Sequence, residues 1–126
     1  MFRLKILIFF IICVLFNSCS KEPINKSTIK EKSLELQVQE AYNEGMESLE
    51  AGDVLFAAKK FNEAEILFPQ SQWAPKSALM AAFSYYSQDY YSDAIAELER
   101  FIEIYANHKH LDYAYYLLAV CYYEQI

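Results

Sequence analysis

The side chains able to do chemistry are few and poorly grouped for it. His108, Lys109 and His110, followed by Asp112, make the one histidine cluster. A zinc site shows more ligands at recognisable spacing, so a solvated loop accounts for this cluster more simply and no metal is expected. Three cysteines, at positions 13, 19 and 121, form neither a metal-ligand pattern nor a disulfide framework. Cys121 falls on an apolar helix position and reads as a small hydrophobe rather than a reactive thiol. No nucleophile, base and acid stand together, and two glycines cannot build a phosphate-binding loop. The expectation is a protein without catalytic residues and without a cofactor.

Cys19 is the exception, because of what precedes it. Met1 to Lys5 supply a positive start, and the eleven apolar residues from Ile6 to Phe16 suit an export signal while being too short to span a bilayer. Phe16-Asn17-Ser18-Cys19 then resembles a bacterial lipobox, in which the cysteine becomes diacylated and is the new N-terminus. The alternative is an ordinary cleavage site with an incidental thiol. Ser20 is not the aspartate that holds many proteobacterial lipoproteins in the inner membrane, so the analogy implies the outer one. Acyl chains contribute about 0.8 kcal/mol per buried CH₂, which anchors a protein without a transmembrane helix. The chain thus divides into a lipoprotein signal peptide (1–18), a lipidated tether (19–33) and a folded part (34–126). The polar tether would span roughly 20 Å. Cys13 lies inside the signal and would be discarded.

The folded part is expected to be helical. Gly and Pro are scarce, while Ala, Glu, Leu and Tyr are abundant. The formal charge is −6. Without Arg3 and Lys5, nine basic residues face seventeen acidic ones, so no basic stripe is available to neutralise phosphates and nucleic acid is not expected as a partner.

A shift of 37 residues superimposes Ala41 on Ala78 and Tyr115, Gly45 on Ala82 and Ala119, Ala57 on Ala94, and Phe61 on Leu98. Tyr115 apart, small positions align with small ones and large apolar positions with large. Within the first copy, Gly45, Ala57, Phe61, Ala64 and Pro69 match the small, large and terminating positions of a 34-residue helix-turn-helix repeat. This resembles the tetratricopeptide repeat with three residues added per copy. The copies run from about 38 to 71 and 75 to 108, with the first helix of a third from 111. Small residues let paired helices approach, and the large one fills the gap left between them.

The expected helices cover about 34–50, 54–68, 75–87, 91–105 and 111 to the end. Glu31, Glu35 and Glu40 read as solvated surface. In tetratricopeptide arrays the first helix of each pair lines a concave groove. The positions on that face here are Tyr42, Met46 and Leu49, then Leu79, Phe83 and Tyr86, then Tyr113, Tyr116, Val120 and Tyr123. Tyrosine offers a large contact area at low entropy cost plus one hydroxyl, which suits peptide recognition. Packing between repeats is the competing use for each of them. Ala114, Leu117, Leu118, Cys121 and Tyr122 form an apolar face for which the chain supplies no further helix, so the N-terminal part of a longer protein, or the product of a truncated gene, is expected.

Beyond the repeat, Arg100-Phe101-Ile102, Tyr105-Ala106-Asn107-His108, Leu111 to Leu117 and Tyr122 to Ile126 are similar to the BamD (ComL, YfiO) lipoproteins of the β-barrel assembly machinery. Ala106 stands where that family usually has proline. The resemblance implies a lipid-anchored outer-membrane protein facing the periplasm. It also implies a scaffold whose partners are the central barrel insertase, accessory lipoproteins and unfolded outer-membrane proteins. A tetratricopeptide lipoprotein serving division or peptidoglycan machinery is the alternative, since fold alone assigns no partner. An enzyme with a catalytic domain beyond Ile126 is a third.

Overall fold

A computed structural model describes residues 33–126, which form five helices: α1 (Leu34–Glu50), α2 (Val54–Leu67), α3 (Trp73–Tyr86), α4 (Tyr91–Ile104) and α5 (Leu111–Glu124). The signal peptide and all of the tether but its last residue, Cys19 among them, lie outside the described residues.

Local chemistry explains the helix ends. The Ser33 hydroxyl accepts from the Leu36 amide at 3.3 Å, and Asp53 Oδ1 accepts from the Phe56 amide at 3.2 Å, so each satisfies a free amide in a first turn. Gly52 stops α1 with φ at +82°, a conformation that a side chain would strain. One helix start differs from the sequence reading. Helix α3 begins at Trp73, before Pro75, because Ser71 Oγ accepts from the Trp73 amide at 3.2 Å and captures the turn early. Pro75 is tolerated there because the first-turn amides have no helical acceptor.

Each helix packs chiefly on its neighbours in sequence, and α1 also touches α3. The described part is all-α, a tetratricopeptide-like solenoid. Its core is two clusters that share α3. Val38, Ala41, Tyr42, Ala57, Phe61 and Ala81 belong to the first, and Ala78, Ala82, Leu98, Phe101, Leu117 and Cys121 to the second.

The position of Gly45 follows from its neighbour. A Cβ built there would lie 2.8 Å from Phe61 Cε1 and 2.9 Å from Cδ1, and the Phe61 ring is fully enclosed. One copy later the partners are Ala82 and Leu98, a methyl gained on one side and ring volume lost on the other. Overpacking a dense core costs about 1–3 kcal/mol, while alanine gains about 1 kcal/mol of helix propensity over glycine. Gly45→Ala should therefore lose on the order of 1 kcal/mol in urea unfolding. Unchanged or higher stability would mean that the ring gives way.

Two sequence expectations about α5 divide. Cys121 is a free, fully buried thiol, and burial pushes its pKa up, as suits a small hydrophobe. The apolar face expected to lie bare is mostly covered. Ala114, Leu117 and Cys121 are buried in the second cluster and Leu118 packs against it, because α4 already occupies that side. What remains exposed is the tyrosine-rich surface, including Tyr115 and Tyr122. The Tyr122 hydroxyl donates to Glu99 at 2.7 Å.

A polar lock joins α2 to α4. The Arg100 guanidinium donates to both oxygens of Glu65 at 2.9 and 2.7 Å and also reaches Glu97, and the Tyr105 hydroxyl donates to Glu65 at 2.7 Å. The hydrogen bonds to Glu65 hold Arg100 protonated beyond its ordinary range. Burial, then the bond to Glu65, pushes the Tyr105 phenol up.

Candidate functional site

The groove candidates do not share one environment. Tyr42 is 7% exposed, with its ring 5.2 Å from Phe61 and 5.1 Å from Trp73, so most of its area is spent inside the first cluster. Met46 and Leu49 pack against the same cluster as half-buried side chains. Leu79, Phe83 and Tyr86 are likewise half-buried, against the second cluster. Tyr113, Tyr116 and Tyr123 on α5 are 39%, 65% and 74% exposed.

Three of these residues are brought together. Leu79 and Phe83 from α3 and Tyr113 from α5 line a hollow of about 560 Å³, which Lys76, Met80, Lys109, His110 and Asp112 complete. Lys76, Leu79, Met80 and Phe83 recur at helical spacing, which puts them on one side of α3. That spacing was the signal for Lys76 and Met80, which the groove candidates did not include. Aromatic contacts continue from this hollow. Phe83 lies 6.2 Å from Tyr86, Tyr86 lies 6.2 Å from Tyr91, and Tyr113 lies 6.4 Å from Tyr116. Tyr42, Met46, Leu49 and Tyr123 are not part of its lining.

Lys76 lines the hollow together with Lys109, His110 and Asp112. The Lys76 side chain also reaches toward α1. Its ammonium sits 4.5 Å from the centre of the Tyr42 ring and 4.8 Å from that of Trp73, while Trp73 Nε1 donates to Glu35 at 2.9 Å. Burial, with Tyr86 and Tyr116 adding to it, pushes the Tyr113 phenol up, so its proton is available for donation. His108 stacks edge-on to Phe101 at 5.7 Å and lies 5.4 Å from His110. Burial lowers its pKa, and His110 and Lys109 reinforce that shift. Among the described residues no three potential metal ligands come together, and no helix is long and apolar enough to cross a membrane. What this arrangement can do is hold an apolar side chain between two helices beside a positive rim.

Comparison with known proteins agrees with the helical pattern. The family model described as YfiO, outer membrane lipoprotein, matches residues 34–126. An outer membrane protein assembly factor BamD from Caulobacter vibrioides is 37% identical over 92 residues, 73% of this chain and 30% of the relative. BamD of Neisseria gonorrhoeae is 35% identical over 80 residues, 64% of this chain and 30% of that protein. BamD of Rickettsia prowazekii is 33% identical over 85 residues, 68% of this chain and 34% of that protein. The chain thus spans about a third of the length of these relatives. With a family match over the whole described helical array, the chain belongs to the YfiO family of outer membrane lipoproteins.

Proposed function

We propose that this chain is a non-catalytic scaffold of outer-membrane protein assembly, anchored through a lipid on Cys19 and facing the periplasm. In this reading it receives unfolded outer-membrane proteins and passes them to a central barrel insertase that works with accessory lipoproteins. The name shared by its relatives supports the process. The observation that carries the mechanism is the hollow lined by Leu79, Phe83 and Tyr113, with aromatic rings continuing to Tyr86 and Tyr116.

No bond is made or broken in such a role. An extended segment lays apolar side chains across α3 and α5, and burial against rings with few rotatable bonds holds it at a small cost in entropy. The hollow is open to solvent rather than closed over, so a bound segment can leave, as a hand-off requires.

Replacing Phe83, Tyr86 and Tyr116 together by alanine tests this. Removing a cluster of aromatic contacts should weaken binding of an unfolded outer-membrane-protein peptide by about tenfold or more, with the helical circular dichroism spectrum kept. An unchanged affinity in a folded variant would overturn the reading.

A further inference from the structure

Among the described residues, Lys60 is neutralised by Glu44 and Glu63, and Arg100 by Glu65 and Glu97. Lys76 and Lys109 have no such carboxylate partner among the described residues, yet α3 and the loop before α5 bring them to the same hollows. Both line the hollow of Leu79, Phe83 and Tyr113, and both also line a second hollow of about 560 Å³ formed with Trp73, Pro75 and His108. His110 is common to the two as well. The two lysine residues are therefore shared by the walls of both hollows. Asp112, the carboxylate lining the first hollow, is not part of the second.

This placement says what the bound segment carries. An anion held at these lysines has room for ligand on both sides, so it belongs to a side chain within the segment rather than to a chain end. The Lys76 ammonium rests on the faces of Tyr42 and Trp73, which fixes its position while leaving its N–H groups to donate. Leu79, Met80 and Phe83 on one side and Trp73 and Pro75 on the other flank the two lysines.

We infer that the Lys76–Lys109 corner binds the carboxylate of an internal aspartate or glutamate, flanked in the bound peptide by two apolar or aromatic side chains. One flanking side chain enters the hollow of Leu79, Phe83 and Tyr113, and the other lies against Trp73 and Pro75. The inference rests on the peptide-binding reading above and adds a charge and a register to it.

Calorimetric titration of the full chain tests it with three short peptides and one variant. The first peptide is acetylated and amidated, with one central aspartate and an aromatic residue two positions away on each side. The second has asparagine in the centre, and the third has that asparagine with a free C-terminal carboxylate. The aspartate peptide should bind about fivefold more tightly than the asparagine peptide, an advantage that shrinks with added salt. In the variant Lys76→Gln with Lys109→Gln the aspartate and asparagine peptides should bind alike, so that the advantage vanishes. Both lysines are exposed, so the variant should keep its fold. Equal binding of all three peptides overturns this inference and leaves the groove standing. Preference for the free C-terminus overturns it in favour of a chain end. An aspartate preference that survives in the variant places the carboxylate elsewhere. Failure of every peptide to bind removes this inference together with the groove.

Discussion

Phe61→Ala is expected to lower the unfolding free energy by about 3–5 kcal/mol, the usual range for deleting an enclosed aromatic ring. The reason for the upper part of the range is the company the ring keeps. Gly45 lies under its edge, Ala57, Ala58, Ala64 and Ala81 share its cluster, and Tyr42 meets it edge-on at 5.2 Å. None of the small neighbours can extend to fill the space, and Tyr42 is already held by Trp73 at 5.1 Å. The cavity therefore stays open and its lining loses contacts outright. A domain of this size is stabilised by only about 5–15 kcal/mol. At roughly 4–8 °C per kcal/mol, the melting temperature should fall by more than 10 °C. Because repeat arrays are stabilised by nearest neighbours, hydrogen exchange should rise first in α1 and α2, with α4 and α5 protected longer. A loss under about 1 kcal/mol would mean that the helices collapse onto the gap and that the small-residue pairing is not what spaces them.

Arg100→Ala carries the second large effect. Glu65 is 7% exposed and keeps only the Tyr105 hydroxyl once the guanidinium is gone. Stranding a buried charge costs about 3–5 kcal/mol when the pair is fully enclosed. The Arg100 side chain is 36% exposed, so water reaches part of the site and roughly 2–3 kcal/mol is expected. The informative comparison is Glu65→Leu with Arg100→Leu, which removes both charges and leaves no stranded group. That double variant should be more stable than Arg100→Ala alone in urea unfolding. If both variants cost less than about 0.5 kcal/mol, the bridge behaves as a solvated surface pair and does not lock α2 to α4.

Much of the architecture was legible in order of residues. The extents of α1, α2, α4 and α5 follow from apolar periodicity, with Ser33 at the start of α1 and Gly52 after its end. The closeness of Gly45 to Phe61 was readable because both recur in register as Ala82 and Leu98. These are local or repeated signals, and a single sequence displays them directly.

The division of the tyrosines could not be read the same way. Periodicity assigns a residue to a helix face, but not to the neighbour that covers the face. Tyr42 and Tyr116 occupy comparable faces in sequence, yet α2 and the start of α3 close over Tyr42 while Tyr116 stays open. A tyrosine is content in either place, since its ring favours burial and its hydroxyl favours water. The same ambiguity hid Glu65, a glutamate that looks like any surface carboxylate until Arg100 and Tyr105 reach it from α4 and the turn after it. It also hid the meeting of Lys76 with Lys109, which lie far apart along the chain and share two hollows in space. The amino-acid order determined which stretches coil and which positions are small enough for helices to touch. Only the packing of α2, α4 and the loop before α5 decided which polar and aromatic groups are enclosed and which are left for a ligand. Enclosure is a property of several helices at once, and no spacing within one of them encodes it.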